Sequence, residues 1–315
     1  MKTLTRAEAA GFFLSHDRFS ILTHRRPDGD TLGSAAALCL GLRKMGKEAW
    51  VVDPTEPLDH LGWLLADITK ETAEETDTIV AVDVAAPNML PKDTADLAEK
   101  CLLRIDHHGS ATPFAEAELV DPDSASCAEI ICDILTILGV QLDEDMADAI
   151  YVGVSTDTGC FRYGNTNAHA FLVASVCAQA GADIQGLNLD LFETNSLAKL
   201  RIQAWIVEHV KLFDEGKLAI VAIPRAVEER LGATEADMGN MSAYARTIEG
   251  VCLAATLRQG KFGETKISLR AVPGYDAAAV CQRFGGGGHP GAAGATTRMS
   301  LEDTAKLLEE YMLEA

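Results

Sequence analysis

The sequence predicts an α/β protein: an N-terminal, mostly parallel sheet flanked by helices, plus a smaller C-terminal α/β domain with a mixed sheet, and a cleft between them. Three observations predict it. Short apolar runs at 19–24, 49–53, 78–83 and 101–105 read as buried strands, spaced widely enough for helical crossovers. From about 124 to 180 the apolar spacing turns helical. A new strand-rich pattern begins at Val210 and leads to a glycine run at 285–288.

The elements follow in order. Met1 to Glu8 reads as the opening of an amphipathic helix, with helix over 5–18 and no signal peptide expected ahead of it. Strand 19–24 enters a tight loop marked by Pro27 and Gly29, and helix 31–45 leaves it, rich in small and apolar residues. Strands at 49–53, 78–83 and 101–105 come next. Helical spacing returns at 126–135 and 145–154, with Asp157 in a loop just beyond, and at 168–180, where Gly181 stops the helix. Residues 183–209 read as helical. The expected division is 1–185 for the first domain, 186–209 for a helical connector and 210–315 for the second domain. Within the last, runs at 210–214, 217–223, 250–257 and 265–272 are strand-like, 224–245 is helix-like, and 301–313 closes as an amphipathic helix.

With 315 residues, 48% hydrophobic and 23% charged, the chain has the composition of a soluble globular protein with a large core. No apolar run reaches membrane-spanning length. Eight cysteines occur without a Cys-x-x-Cys pair. Seven sit in apolar contexts and read as buried small hydrophobes in a reducing cytoplasm; Cys160 follows the Asp157 loop. The net charge of −20 argues against a broad grip on long DNA or RNA. An anionic substrate would need a local cationic site.

The chemistry concentrates in Thr23-His24-Arg25-Arg26-Pro27-Asp28-Gly29-Asp30-Thr31-Leu32-Gly33-Ser34, a strand-to-helix loop of the kind where open α/β sheets bind ligands. His24, Asp28 and Asp30 suit a hard-to-borderline metal, and two carboxylates this close are uncomfortable as anions without a cation. Alone, the stretch fits a metal loop or a polar turn with an N-cap aspartate. Three later stretches break the tie: an apolar run ending in Asp83, another ending in Asp106-His107-His108, and Ser155-Thr156-Asp157-Thr158-Gly159.

Together these motifs resemble the DHH phosphoesterase family, of the nanoRNase and phosphoadenosine-phosphate phosphatase type. His-x-x-Pro-Asp-Gly-Asp-x-x-Gly-Ser is residues 24–34, Asp-His-His 106–108 and Thr-Asp-Thr-Gly 156–159. Gly-Gly-Gly-His at 286–289, followed by Ala-Ala-Gly at 292–294, resembles the DHH-associated C-terminal domain. In one departure, Arg25-Arg26 stands where family members often carry Val-Asn or Ile-Asn.

The resemblance implies two divalent ions, manganese by family habit. His24 and Asp28 would hold the first, Asp30, His107 and Asp157 the second, and Asp83 would bridge both. The four carboxylates would balance two doubly charged ions, and an oxygen and imidazole set without thiolate suits manganese better than structural zinc. Water activated between the ions would attack phosphorus. Asp106 would fix a histidine tautomer and His108 would meet the phosphate or protonate the leaving group. Gly286, Gly287, Gly288 and His289 would clamp a terminal phosphate, helped by the dipole of a following helix. Arg258 and Arg270 would face the same pocket, with weaker support for Arg162.

The expected substrates are short RNA or a phosphorylated nucleotide, cleaved by a phosphoric ester hydrolase acting on oligoribonucleotides, 3′-phosphoadenosine 5′-phosphate, or both. The alternatives are hydrolysis of linear or cyclic di-AMP and, from a different class, a non-catalytic nucleotide-binding module. Inorganic pyrophosphatase fits less well, because that branch carries a lysine- and arginine-rich motif in place of the glycine run. No long-duplex DNA and no membrane are expected as partners, and a homodimer is allowed for.

Overall fold

A computed structural model describes residues 2–55, 58–109, 111–239 and 241–314; Met1 and Asn240, both in stretches expected to be helical, lie outside them. The chain divides into two compact units, Met1–Thr194 and Asn195–Ala315. The division falls inside the stretch 186–209.

The first unit is built on seven strands: β1 (Lys2–Thr3), β2 (Arg18–Leu22), β3 (Glu48–Val52), β4 (Thr69–Lys70), β5 (Thr78–Val82), β6 (Cys101–Asp106) and β7 (Ala117–Val120). They lie in the order β1-β7-β6-β5-β2-β3-β4, and every pairing is parallel. β5 is buried along its whole length, which is why it reads as an uninterrupted apolar run. The helices are α1 (Arg6–Leu14), α2 (Gly29–Lys44), α3 (Cys127–Ile137), α4 (Glu144–Asp157), α5 (Ala168–Ala180) and α6 (Ile184–Asn188). One core joins them to the sheet through Phe13, Phe19, Ile21, Leu38, Ile105 and Ile130.

α2 and α4 touch at glycines. A Cβ on Gly33 would lie 2.2 Å from the Ala149 carbonyl oxygen, and one on Gly153 would lie 3.0 Å from Asp30 Oδ1. This approach brings the first turn of α2, with Asp30, toward the last turn of α4, with Asp157.

Several expectations are corrected. Lys2–Thr3 is an edge strand rather than a helix opening, since Lys2 and Leu4 donate their N–H groups to Glu116 and Glu118 carbonyls. The helix begins only after Thr5, which forms a capping box with Glu8. Asp157 is the last residue of α4 and not in a loop. The helix runs past 154, and the Thr156 and Thr158 hydroxyls are accommodated in it by donating to the Val152 and Val154 carbonyls at 2.8 and 2.6 Å. β4 and β7 were not read from the sequence at all.

The second unit carries β8 (Lys211–Phe213), β9 (Leu218–Ile223), β10 (Leu253–Gln259), β11 (Thr265–Ala271), β12 (Gly287–His289) and β13 (Ala292–Thr297), ordered β12-β13-β11-β10-β9-β8. Only the β9–β10 pairing is parallel among the described residues, so the sheet is mixed as expected. Its helices are α7 (Leu197–His209), three short helices α8 (Arg225–Leu231), α9 (Glu235–Met238) and α10 (Met241–Tyr244), then α11 (Ala277–Gln282) and α12 (Leu301–Leu313). The glycine run differs from its expected form. It becomes strand β12, and the element that follows is β13, not a helix. Glycine is required there: a Cβ on Gly286 would lie 2.2 Å from the Gly294 carbonyl oxygen, and Gly288 has φ of 146°.

All eight cysteines are free thiols; Cys252, expected to be buried, is partly exposed like Cys160. No helix among the described residues is long and apolar enough to cross a membrane.

Candidate metal centre

The C-terminal edge of the parallel sheet gathers the predicted residues. His24 follows β2, Asp83 follows β5, Asp106 ends β6, and His107 and His108 come next. Asp28 caps α2, accepting from the Asp30 and Thr31 N–H groups, and Asp30 sits in its first turn. Asp157 arrives from the end of α4.

Two triplets of donor atoms match the expected grouping, His24 with Asp28 and Asp83, and Asp30 with His107 and Asp157, and a third joins Asp83 with His107 and His108. His24 Nε2 lies 3.7 Å from Asp28 Oδ1 and 3.6 Å from Asp83 Oδ2. His107 Nε2 lies 3.7 Å from Asp30 Oδ2, 3.7 Å from Asp83 Oδ1 and 3.5 Å from Asp157 Oδ2. Asp83 thus turns one oxygen toward each histidine. These separations are too long for hydrogen bonds, but bonds of ~2.1 Å to a shared ion place neighbouring donors about 3–3.5 Å apart. Asp83 Oδ1 is buried with no hydrogen-bond partner among the described residues, an orphan that a cation would satisfy. The backbone of Asp83 is left-handed, φ 56°, which aims its carboxylate off the strand at some cost in strain.

Both ring tautomers suit ligation. His24 Nδ1 contacts the Arg25 carbonyl at 2.9 Å and His107 Nδ1 the Ser124 carbonyl at 3.3 Å. A carbonyl only accepts, so each Nδ1 donates and Nε2 is the atom turned to the carboxylates. Asp30 is held rigidly: its oxygens accept from the Cys127 and Ala128 N–H groups at 2.7 and 2.9 Å, at the start of α3.

Asp106 is fully buried, and its Oδ1 accepts from the His107 and His108 N–H groups at 2.8 and 3.2 Å and from His108 Nδ1 at 2.8 Å. Behind it lies Arg104, which sequence reasoning missed. Its buried guanidinium donates to Glu118 at 2.9 Å and to the Val84 and Ala85 carbonyls, and lies 3.5 Å from Asp106 Oδ2. It therefore ties the backbone just after Asp83 to the strand that carries Asp106. The only available signal was a cation inside an apolar strand.

The electrostatics describe a site short of positive charge. Burial and the charges of Asp83, Asp157 and Asp28 hold Asp30 well above the usual carboxylate range. Burial and Asp28 raise Asp83. Burial, with Asp83 and Asp28, pushes Asp157 up to about 6. Burial opposes charge on His24, yet Asp28 and Asp83 push it up to about 10, while His24 in turn keeps Asp28 low despite desolvation. The hydrogen bond that His108 Nδ1 donates to Asp106 raises His108 to about 8. Four carboxylates and two Nε2 atoms without a thiolate fit oxygen-seeking divalent ions.

The second unit's predicted residues lie on its sheet. Gly287, Gly288 and His289 are exposed along β12, with Gly286 just before it. Arg258 on β10 is engaged by Glu228 at 2.9 Å and Glu235 at 3.2 Å. Arg270 on β11 donates to the Leu269 carbonyl at 2.9 Å. In the first unit, Arg162 Nε donates to the Gly159 carbonyl at 2.5 Å.

Comparison with known proteins adds an independent line. Residues 18–154 match the N-terminal domain of the DHH family and residues 216–314 the DHHA1 domain. The chain is 32% identical over 282 residues to the bifunctional oligoribonuclease and PAP phosphatase NrnA of Thermus thermophilus, covering 88% of this chain and 83% of that protein. Among solved structures, an exopolyphosphatase-related protein from Bacteroides fragilis matches with a TM-score of 0.89 at 24% identity, over 98% of this chain and 96% of that one. An exonuclease RecJ bound to manganese matches at 0.56 and 14% identity, over 99% and 94%. Both show a shared fold.

Proposed function

The chain belongs to the DHH family, with a DHHA1 domain in its C-terminal half, and we propose that this metal-dependent phosphoesterase hydrolyses short oligoribonucleotides and 3′-phosphoadenosine 5′-phosphate. The observation that carries the reading is the orphaned carboxylate of Asp83, set between His24 and His107 with three further aspartates around it. His24 and Asp28 would hold one ion, Asp30, His107 and Asp157 a second, with Asp83 shared. Such ions supply Lewis acidity, the positive charge against which water ionises near neutral pH and phosphate charge is offset. Manganese is our choice on the donor set and on the ion named for the RecJ neighbour.

The chain's own residues do the rest. His108, kept protonated near neutral pH by Asp106, donates a proton to the departing oxygen. The backbone N–H groups around Gly286, Gly287 and Gly288, with His289, bind a terminal phosphate, and Arg270 contributes charge on the same sheet, where Arg258 would have to exchange Glu228 and Glu235 for the substrate. The net charge of −20 disfavours long strands, consistent with substrates a few nucleotides long. A manganese-supplemented assay on the bisphosphate nucleotide, dinucleotides through pentanucleotides, cyclic di-AMP and pyrophosphate tests this. Release of phosphate or mononucleotide from the first two classes, lost in EDTA, is expected; tight binding with no product from either would mean a nucleotide-binding module instead.

The ligand set also fixes a sign for pH. Asp30, Asp83 and Asp157 are all raised and His24 holds its proton to about 10, so ions must displace protons on entry. Metal affinity should therefore rise with pH, and part of that rise should fall near pH 6, where Asp157 ionises. Calorimetric titration of EDTA-stripped protein in two buffers of different ionisation enthalpy reads the protons released. Uptake at neutral pH with no proton release would exclude His24 as a ligand.

A further inference from the structure

We propose that a cavity beside His24 is a phosphate subsite, which takes a second phosphate of the substrate next to the one attacked. This deepens the phosphoesterase reading and rests on it. The cavity, about 430 Å³, is lined by Arg25, Arg26 and Lys92, with Asp93 the acid on its wall among the described residues. Leu90 and Pro91 give it a buried apolar floor.

Its location follows from the chain itself. Arg25 is bonded to His24, and the His24 ring donates to the Arg25 carbonyl at 2.9 Å. The Arg25 N–H donates to the Met89 carbonyl at 2.7 Å, which pins the loop after β2 to the segment carrying Leu90 to Asp93. Arg25 therefore stands one residue and Arg26 two from a proposed metal ligand, at the sheet edge where the scissile phosphate would lie.

The chain holds 47 acids for 27 lysines and arginines, and its more buried cations, Arg6, Arg104 and Arg258 among them, are held by carboxylates. The side chains of Arg25 and Lys92 make no hydrogen bond or ion pair among the described residues, although both are exposed. Arg26 sits at φ 53°, a left-handed backbone that disfavours a long side chain and that glycine or asparagine would adopt more readily. Exposed cations converging on a concavity, in a chain this acidic, suit an anion with several acceptor oxygens, and guanidinium groups match phosphate geometry.

The second phosphate has two sources: a 5′-terminal phosphate or the next internucleotide phosphate. Three substrates separate them. ApA carries only the scissile phosphate, pApA adds a terminal one, and ApApA adds an internal one. For the R25A/K92A variant and wild type, kcat/KM is measured on each in manganese, and equilibrium binding of each is measured in EDTA. The preference for pApA or for ApApA over ApA should fall about tenfold in the variant, and the preference that falls names the source. If both preferences are unchanged, including through a uniform loss on all three, the subsite is overturned. Wild-type protein that binds with these preferences but hydrolyses none would sink the phosphoesterase reading and leave the subsite standing.

Discussion

Asp83→Asn should abolish turnover, lowering kcat by roughly 10³-fold or more at saturating manganese. The argument is geometric. Asp83 is the one carboxylate with an oxygen toward each histidine, Oδ2 toward His24 and Oδ1 toward His107. Asparagine keeps the shape and one carbonyl oxygen but loses the charge and one acceptor. It is also the proper probe for the backbone, since asparagine tolerates φ 56° better than alanine does. Metal analysis should find fewer bound ions per chain. More than a tenth of wild-type kcat surviving in manganese would mean that the two triplets work without a shared carboxylate.

The same substitution should not harm the metal-free fold. Asp83 is buried among Asp28, Asp30 and Asp157, and its charge helps to raise Asp30 and Asp157. Removing it relieves repulsion, so in EDTA at mildly alkaline pH the variant should melt no lower than wild type. In manganese the order should reverse, because ions bound only by the folded state stabilise the wild type more.

Much of this site was legible because its residues terminate apolar runs. β2, β5 and β6 are buried strands, so His24, Asp83 and Asp106 mark where burial in the sheet ends and a ligand-facing edge begins. Asp157 was placed in a loop for the opposite reason: Ser155, Thr156 and Thr158 look like loop residues, but the two threonine hydroxyls bond back to helix carbonyls. Arg104 was invisible because its partner was. Glu118 sits opposite it in the β6–β7 register, and β7 is a four-residue strand, too short to carry a clear period of its own. The glycine run was read as a phosphate clamp ahead of a helix, and its strand was missed because a strand with almost no side chains carries no period. Only its pairing with β13 makes it one.

Asp106→Asn should leave metal binding intact yet lower kcat by roughly 10-fold or more near pH 8. Asp106 Oδ1 accepts the His108 Nδ1 proton at 2.8 Å, and that bond raises His108 to about 8. A proton donor works while protonated, so the wild-type rate should hold below about 8 and fall above it. Asparagine can still accept from the His107 and His108 N–H groups, which keeps the loop, but it no longer stabilises the imidazolium. The His108 pKa should drop toward about 6.5, its ordinary value. The alkaline limb of the pH–rate profile therefore moves to lower pH, and the loss at pH 8 exceeds the loss at pH 6. His108→Gln should erase that limb. Arg104 has Glu118 as its nearer partner, so losing the Asp106 charge need not unfold the site, and a melting curve checks that. An alkaline limb that stays in place with kcat nearly unchanged would make His108 a phosphate contact and leave the departing oxygen to take its proton from water.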